Sequence, residues 1–529
     1  MLDSESLRIQ LDEKKEYRNL LFRRGYLITN RAEIELDVFP FYGNWHREEI
    51  NGKFFAYLHN EQHFYRVEKD GVVAVLIGHA YNPFTSQISE CDILEDCLDA
   101  YSRGESEYFD KISELTGIHL IAIFDGERVI FVQDYTGMQT AFYGKCADNV
   151  YVTSNIMTVA NIDDVKEDSF VAKVISHPSY QYGTKYVPGD RTVLSGFCRL
   201  GPNVYLTYED GAFSIKRFYP VADHKTVSED DTDTVDAIRA LLSKNIELCA
   251  QKWDRPAISL SGGMDSRTTL SSARNVYDKF YYYSFHAKPQ EVNDAHAAHD
   301  ICAAVGMPHT IYPIVNTNEE CPDFELFRDI VVYGLGGVSR PKDHEIRKYI
   351  FLSTLGDFDV ELKSWVSEIG RAYWGRRYGI ELPARLTARH LSIFQTRYFG
   401  CPGLLRKSDG AYREYMKKSG FEYPMHNYEM TDMFYCEFRW GSWGTHVTAG
   451  QNIFGFEVTM PMNNRKLMDM FLWYPHDMRK VDGVHKAIIE RNDDRLISVG
   501  KNVHNDYMSK KRLRLERLYY KYRTMFIRK

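Results

Sequence analysis

Ala257-Ile-Ser-Leu-Ser-Gly-Gly-Met-Asp-Ser-Arg267 is the stretch around which the rest of this sequence is best understood. An apolar run ends in a serine and two glycines, and the residues that follow are typical of a helix. This order predicts a strand, a glycine turn and a helix N-terminus. Because glycine adopts backbone conformations closed to other residues, successive N–H groups of the turn can converge on an anion. The helix start adds unpaired N–H donors and the positive end of its dipole.

The side chains of this stretch offer further groups for binding phosphate. Ser261 and Ser266 carry hydroxyl donors, and Asp265 can hold a magnesium ion that bridges phosphate oxygens. The lysine of a Walker A loop is missing, so a different phosphate cradle is predicted. An ordinary strand-to-helix turn with a serine cap is the alternative, but Ser-Gly-Gly-x-Asp-Ser is far more specific than a lone pair of glycines.

This stretch resembles the pyrophosphate loop of the N-type ATP pyrophosphatases, which split ATP into AMP and pyrophosphate and use the AMP half to activate a substrate. The superfamily includes asparagine synthetase, beta-lactam synthetase, GMP synthetase, NAD synthetase and the tRNA-thiolating enzymes. The resemblance implies that ATP is bound by Ser259, Leu260, Ser261, Gly262, Gly263, Asp265 and Ser266.

Size and composition are those of an ordinary globular protein. A chain of 529 residues predicts two domains, and 44% hydrophobic residues suffice for well-packed cores. The net charge of −7 gives no whole-protein indication of nucleic-acid binding. The nine cysteines are scattered singly, and neither the polar start nor the short apolar runs predict a signal peptide or a membrane span. We therefore expect a reduced, cytoplasmic protein.

The first 225 residues contain short runs typical of β-strands. Asp125-Gly126 is a strong hairpin signal, and the segment from Leu94 to Leu115 is predicted to be one helical region. An α+β sandwich of sheets and helices fits this pattern. The clearest strand predictions are 53–58, 71–78, 119–124 and 128–132.

Two strings in this half are similar to the N-terminal glutaminase domain of asparagine synthetases. They are Ile121 to Tyr143, and the pair Gly189-Asp-Arg191-Thr192 and Leu200-Gly-Pro-Asn-Val-Tyr. The resemblance implies an α/β protein that joins an Ntn-hydrolase-like α+β sandwich to a parallel-sheet ATP-pyrophosphatase domain of the adenine nucleotide alpha hydrolase type. The implied divisions are 1–225 for the glutaminase-like domain, 226–508 for the ATP-pyrophosphatase domain and 509–529 for a basic tail.

The glutaminase-like half departs from the family in its chemistry. Such glutaminases use the thiol of a processed N-terminal cysteine, with the α-amino group as base. Met1 is followed here by Leu2 and Asp3, and the first cysteine is Cys91. A longer propeptide would need a cysteine among the first β-like runs, and none lies there. We therefore expect no glutaminase activity and interpret this half as a scaffold or partner-docking domain.

The second half follows an acidic, polar stretch between Val221 and Asp233. A helix over 234–252 leads into the strand at Ala257, and a βαβαβ pattern of strands and helices continues to about residue 315. Because parallel sheets bind ligands at the carboxyl ends of their strands, adenine is expected near Ser284 and Phe285.

Two later segments resemble other parts of the asparagine synthetase site. The segment from Val360 to Gly375 lies where that family carries a glycine- and acid-rich loop, which implies Glu368 as a magnesium or substrate ligand and Arg371 as a fork for phosphate oxygens. A surface Glu–Arg pair on one helix face is the alternative. Lys486 matches the family's lysine that neutralises charge as an acyl-adenylate is attacked, whereas a solvated helix lysine is the alternative.

The tail from Ser509 is basic, with aromatic residues at partly helical spacing. Such a tail can rest on an anionic membrane or bind an acidic partner. A terminal helix packed on its own domain is the interpretation that we favour.

Taken together, the resemblance implies an ATP-dependent amide ligase of the asparagine synthetase type, with Lys486, Glu368 and Asp265 as catalytic residues. ATP and Mg²⁺ would be the cofactors, with the metal held by Asp265 and Glu368. The expected partners are a small-molecule, sugar-acid or peptide carboxylate and ammonia or an amine; a separate glutaminase and a homodimer are also compatible, and no nucleic acid is expected. The alternative is a catalytically degenerate homologue that binds a nucleotide or a partner.

Overall fold

The computed structural model describes residues 4–178, 180, 186–378, 383–395, 401–499, 510–525 and 527. Within these ranges the chain is a mixed α/β protein with two six-stranded sheets and one five-stranded sheet. None of the helices described is long and apolar enough to cross a membrane.

The two six-stranded sheets are antiparallel and lie in the first 217 residues, with strand orders β10-β8-β9-β1-β3-β2 and β12-β11-β7-β6-β5-β4. The predicted hairpin at Asp125-Gly126 is present as the β6–β7 turn. The strands are β1 (Tyr26–Thr29), β2 (Trp45–Glu49), β3 (Phe55–His59), β4 (Phe64–Lys69), β5 (Val72–Tyr81), β6 (Thr116–Asp125), β7 (Arg128–Gln133), β8 (Phe142–Cys146), β9 (Asn149–Thr153), β10 (Cys198–Arg199), β11 (Val204–Glu209) and β12 (Ala212–Arg217).

Both faces of the inner strands of these sheets are covered. Along β5, Val73 and Val75 face the other sheet, whereas Ala74 and Leu76 pack under helices. Successive side chains of a strand point to opposite faces, so a strand buried on both faces is apolar at nearly every position. This explains the continuous apolar runs in the sequence. The helices of this half are Ser4–Glu13, Glu90–Arg103, Glu105–Glu114, Ile156–Ile162 and Ser169–Ser176.

The helical region predicted between Leu94 and Leu115 is interrupted at Gly104. Gly104 has a φ of 146°, a value that residues with a side chain rarely adopt. The helix Glu90–Arg103 therefore ends there, and Glu105–Glu114 starts in a new direction. The prediction of a single continuous helix was wrong, because helical spacing on both sides of a glycine does not reveal a break.

The five-stranded sheet is parallel throughout, as the βαβαβ pattern predicted, with strand order β15-β14-β13-β16-β17. Its strands are β13 (Pro256–Ser259), β14 (Tyr281–His286), β15 (Thr310–Pro313), β16 (Val360–Leu362) and β17 (Glu457–Thr459). The α-helices of this half are Thr232–Lys252, Met264–Ser272, Pro289–Ala304, Phe324–Gly334, Asp343–Thr354, Tyr373–Tyr378, Ala388–Gln395, Pro402–Ser419, Met430–Phe434, Thr445–Gln451, Arg465–Leu472, His476–Lys480, Gly483–Asp493, Arg495–Ser498 and Lys510–Met525.

The two halves share one buried core. The same apolar cluster contains Ala74 and Leu76 of β5 and Ala257 and Ile258 of β13. The division of the chain at residues 225 and 226 therefore stays a prediction. Buried polar contacts add to this joint core at Asn463.

Asn463 is fully buried between the halves and uses its amide group in three hydrogen bonds. Its Nδ2 donates to the Gly117 carbonyl at 2.7 Å and to Asp134 Oδ1 at 2.9 Å, and its Oδ1 accepts from Thr136 Oγ1 at 2.8 Å. Because unpaired buried polar groups are costly, this network fixes how the second half packs on the first.

We expect Asn463→Ala to lower the free energy of unfolding by about 2–4 kcal/mol, because it removes three buried hydrogen bonds. Urea denaturation followed by circular dichroism measures this. Asn275→Ala is the matched control, since Asn275 is exposed and its side-chain amide donates to Glu247; its effect should stay within about 0.5 kcal/mol. Equal effects of the two substitutions would contradict a joint polar core.

Candidate active site

The predicted phosphate loop lies at the carboxyl end of β13, and its serines bond to each other. Ser266 Oγ lies 2.9 Å from Ser261 Oγ and accepts from the Ser261 amide at 3.1 Å. The amide of Gly263 donates to Ser261 Oγ at 3.3 Å. The helix Met264–Ser272 begins directly after the glycines, so its first turn and both hydroxyls meet at one point.

Glycine is required in this loop for a different reason from the one predicted. Neither Gly262 nor Gly263 has a positive φ. A Cβ on Gly262 would instead lie 2.8 Å from Ala297 Cβ, which is too close. The Gly262 amide donates to Asp294 Oδ1 at 2.8 Å. The helix Pro289–Ala304 therefore packs directly on the loop and presents a carboxylate to one of its N–H groups.

Asp265, on the first turn of the helix, is held by two partners. Ser367 Oγ donates to its Oδ1, and the Arg371 guanidinium donates to its Oδ2. Arg371 also bonds Asp482, with 2.7 Å between Nε and Oδ1 and 3.3 Å between Nη2 and Oδ2. Burial raises the pKa of both carboxyls, but Arg371 opposes this, and the pKa of each is lowered. Both aspartates are therefore ionised around one arginine.

Glu368 differs from these aspartates because it makes no ion pair with any residue that the structure describes. Its Oε2 is buried and has no hydrogen-bond partner among the residues described. Burial, with a further contribution from the negative charge of Asp265, raises its pKa to about 7. A buried carboxyl that is half protonated near neutrality is a favourable position for an added cation.

His485 approaches Asp265 from the helix Gly483–Asp493, with 4.0 Å between Nε2 and Oδ1. Burial, with Arg371 as a further cause, lowers the pKa of this imidazole to about 4, so it is neutral. Its neighbour Lys486 is exposed, and Lys486 Nζ donates to the Val481 carbonyl at 2.8 Å. The catalytic role predicted for Lys486 stays a prediction.

The structure thus brings Asp265, Glu368 and Arg371 together, as the sequence predicted. Sequence reasoning missed Ser367, Asp482 and His485. Ser367 is adjacent to Glu368, and Asp482 and His485 flank the same short string as Lys486. These three residues could have been found from the sequence only because they lie next to residues that the motifs had identified.

The predicted adenine contacts lie on the neighbouring strand β14. Ser284 is buried, its hydroxyl donates to the Leu260 carbonyl at 2.7 Å, and it lies 2.9 Å from His309 Nε2. Leu260 in turn donates its amide to Tyr283. Ser284 therefore ties the end of β14 to the loop, whereas Phe285 lines an open cavity beside it.

The residues present suit magnesium. This ion takes oxygen ligands and in proteins is usually held by one or two carboxylates together with phosphates and waters. The unpartnered Glu368 Oε2 and the nearby Asp265 provide two carboxylates. In the described part of the chain, no three His, Cys, Asp or Glu side chains are grouped to hold a metal. The site therefore fits a magnesium ion brought by phosphate oxygens.

A cavity of about 410 Å³ opens beside β14 and β16. Aromatic side chains form the largest group in its walls, and basic side chains outnumber acidic ones. The aromatic lining residues are Tyr186, Phe285, Tyr349, Trp365, Tyr373, Trp374, Phe394, Trp443 and Phe454. The charged lining residues are Lys342, Lys348, Lys363, Arg439 and Glu345.

Lys348 and Arg439 are two cations of this cavity with unused donors. Lys348 Nζ lies 4.8 Å from the centre of the Phe285 ring and makes no hydrogen bond or ion pair with any described residue. Burial lowers its pKa. Arg439 stacks 3.7 Å from the Trp443 ring and bonds Tyr186, but its buried Nε has no partner in the described structure. The cavity therefore favours an anionic ligand with a flat or apolar face.

Arg439 and Trp443 belong to a π-helical stretch, Tyr435–Gly444, that lies between the α-helices Met430–Phe434 and Thr445–Gln451. The π-helix is rare and frequently marks functional sites, because it displaces side chains from the ordinary helical positions. Here it turns a guanidinium and an indole toward the same cavity.

Comparisons with known proteins give little help. No family model matches the chain, and no curated protein does. Among solved structures, the glutamine phosphoribosylpyrophosphate amidotransferase from B. subtilis complexed with ADP and GMP matches with 10% identity over 61% of this chain and 90% of that one, at a TM-score of 0.24. A structure described as the allosteric regulatory enzyme of purine biosynthesis matches with 9% identity over 64% and 90%, also at 0.24. Likenesses this slight carry no argument about function.

Glu368→Gln should make the protein more stable at about pH 8 by about 1–3 kcal/mol, with no difference at about pH 4. The pKa of Glu368 is raised in the folded protein, from 4.5 to about 7. Between these values the folded state keeps a proton that the unfolded chain has lost, so the free energy of unfolding falls as the pH rises. Glutamine has no carboxyl proton to lose, so the Glu368→Gln protein does not lose this part of its stability as the pH rises.

Thermal unfolding across this pH range measures the difference, with Glu422→Gln as control because Glu422 is exposed. A difference between Glu368→Gln and the unchanged protein that is the same at both pH values would show that Glu368 does not titrate between them.

Proposed function

We propose that this chain is an ATP-dependent amide ligase that adenylates a carboxylate and passes it to a nitrogen nucleophile. One observation carries the proposal: Asp265, Glu368 and Arg371 meet at the loop that follows β13, at the carboxyl edge of a parallel sheet, and a cation-lined cavity opens beside the neighbouring strands β14 and β16. Ligands of parallel sheets bind at this edge. The antiparallel sheets of the first half would then serve as the glutaminase-like scaffold that the sequence resemblance implies.

The phosphate loop and Arg371 would bind the β- and γ-phosphates of ATP. The N-terminus of the helix Met264–Ser272 supplies N–H donors, and Ser261 and Ser266 supply hydroxyls. Arg371 has five N–H donors and can turn part of its fork from Asp265 to phosphate oxygens. Magnesium, held by Asp265 and Glu368, would neutralise phosphate charge. These groups stabilise the negative charge that pyrophosphate gains as it leaves.

The cavity would hold the carboxylate to be activated. A carboxylate oxygen of the substrate attacks the α-phosphorus of ATP, the bond from that phosphorus to the bridging oxygen breaks, and pyrophosphate leaves with the electron pair. A nitrogen nucleophile then attacks the acyl carbon, and AMP leaves. Lys348 and Arg439 would attract the acid and the ring of Trp443 or Phe285 would pack on its flat face. Sugar acids and cyclic or aromatic acids combine a carboxylate with a ring face of this kind.

Asp265→Asn should reduce acid-dependent exchange of pyrophosphate into ATP by at least about 100-fold, because it removes the charge that pairs with Arg371 and the metal. The exchange is measured with radioactive pyrophosphate and a panel of hexuronates, aromatic acids and aspartate. Asp254→Asn is the control, since Asp254 is exposed and outside the site. A panel member that drives exchange equally in Asp265→Asn would contradict the proposal.

The competing function is a degenerate homologue that binds a nucleotide without catalysis. The engagement of both Asp265 oxygens by Ser367 and Arg371 is the observation that favours it. Binding of ATP without pyrophosphate exchange from any acid of the panel is the result expected of such a module.

The nitrogen should come from ammonia or an amine and not from glutamine. The first cysteine, Cys91, is exposed on the first turn of the helix Glu90–Arg103, whereas β1 begins at Tyr26. We expect no release of glutamate from glutamine, with or without ATP, in a coupled glutamate dehydrogenase assay. An asparagine synthetase with its N-terminal cysteine intact is the positive control. Glutamate release that survives purification and is lost in Cys91→Ser would contradict this prediction.

A further inference from the structure

The helix Lys510–Met525 carries a strong excess of positive charge. Its sequence, KKRLRLERLYYKYRTM, contains seven Lys or Arg residues and one acidic residue, Glu516. Glu516 is buried, so the exposed charges of this helix are all positive. The basic tail singled out in the sequence is therefore an ordered helix with a cationic surface.

One face of this helix packs on the rest of the protein. Tyr520 is fully buried; its ring centre lies 5.6 Å from that of Phe394, and its hydroxyl donates to the Phe394 carbonyl at 3.4 Å. Phe394 belongs to the helix Ala388–Gln395. The prediction of a terminal helix packed on its own protein is therefore confirmed for this face.

The opposite face is apolar and open to solvent. Leu515, Leu518, Tyr522 and Met525 are 58%, 55%, 62% and 65% exposed. Their spacing of three, four and three residues places them in one stripe along the helix. Four of the twelve large apolar side chains that are exposed in the described chain lie on these sixteen residues, so the stripe is a concentration and not a scatter.

Cations border this stripe. Lys511, Arg514, Arg517 and Lys521 are all exposed. Lys511, Arg514 and Lys521 make no ion pair with any residue in the described ranges. Arg514 lies one turn from Leu518, and Lys521 one turn from Met525. The exposed face therefore alternates unneutralised positive charge with apolar side chains.

We propose that this helix docks the protein on the surface of an anionic lipid bilayer. In such a complex the apolar stripe enters the boundary between headgroups and acyl chains, while the lysines and arginines meet lipid phosphates. An acidic patch alone would satisfy the cations but leave the apolar stripe in water, and a second copy of the helix would repel the first. The exposed stripe lies on the side of the helix opposite Tyr520, and the proposal does not depend on ligase activity.

The test is co-sedimentation of the full-length protein with large vesicles of phosphatidylcholine alone or with about 30% phosphatidylglycerol, at about 0.1 M salt. We expect binding to the anionic vesicles and at least tenfold weaker binding to the neutral ones. Raising the salt to about 0.5 M should weaken the binding, because it screens the cations from the headgroups. Failure to bind anionic vesicles, or equal binding to both kinds, would overturn the proposal.

Two double variants separate the charge from the stripe. Leu515→Ser with Leu518→Ser keeps every charge, and Arg514→Gln with Lys521→Gln keeps the stripe. Each should weaken binding to anionic vesicles at least fivefold without changing the melting temperature, since all four side chains are exposed. The matched controls are Val221→Ser and Lys279→Gln, at exposed positions elsewhere.

Controls that weaken binding as much as the tail variants would overturn the proposal. Loss of binding in the charge variant alone, with the leucine variant unaffected, would also overturn it, because purely electrostatic attraction fits an acidic protein partner and not insertion between lipids.

Discussion

The candidate site depends on the ion pairs that the Arg371 guanidinium makes with Asp265 and Asp482. Arg371 lies on a short 3-10 helix, Ser367–Arg371, and donates to Asp265 on one helix and to Asp482 before another. These three segments are far apart in the sequence. Taking two carboxylates out of water costs several kcal/mol for each unless a cation pairs with it. Arg371 therefore holds the loop, the 3-10 helix and the residues before Gly483 together, and Arg376 adds a second ion pair to Asp482.

The sequence reveals the strands and the parallel sheet because their patterns are local. Continuous apolar runs mark β5 and β6, and the order of strand, glycine turn and helix marks β13 and its loop. Glycine is harder to interpret. Gly104 breaks a helix through its positive φ, whereas Gly262 is needed because Ala297 packs against it. Only the tertiary structure distinguishes these two reasons, since both produce the same letter in the sequence.

The residues of the candidate site likewise fall into those that sequence motifs identify and those that only the structure reveals. Asp265, Glu368 and Arg371 could be named from motifs, and the structure places them together. Asp482 and His485 could not, because their roles arise from how one helix approaches another. Neighbouring residues of a helix differ in direction by about 100°. When His485 faces Asp265, Lys486 must therefore point elsewhere, and it is exposed.

The charges around Arg371 also constrain how a nucleotide can enter. Arg371 and Arg376 face Asp265 and Asp482, so these four charges are balanced before any ligand arrives. A nucleotide adds negative charge, and each donor that Arg371 turns to a phosphate is withdrawn from a buried carboxylate. Because an unpaired buried carboxylate is strongly destabilising, Asp265 must gain another cation at the same moment. The buried, half-protonated Glu368 beside it would also be stabilised as a carboxylate by an added cation. For the proposed nucleotide, the ion pair would thus favour binding together with a divalent cation over binding alone.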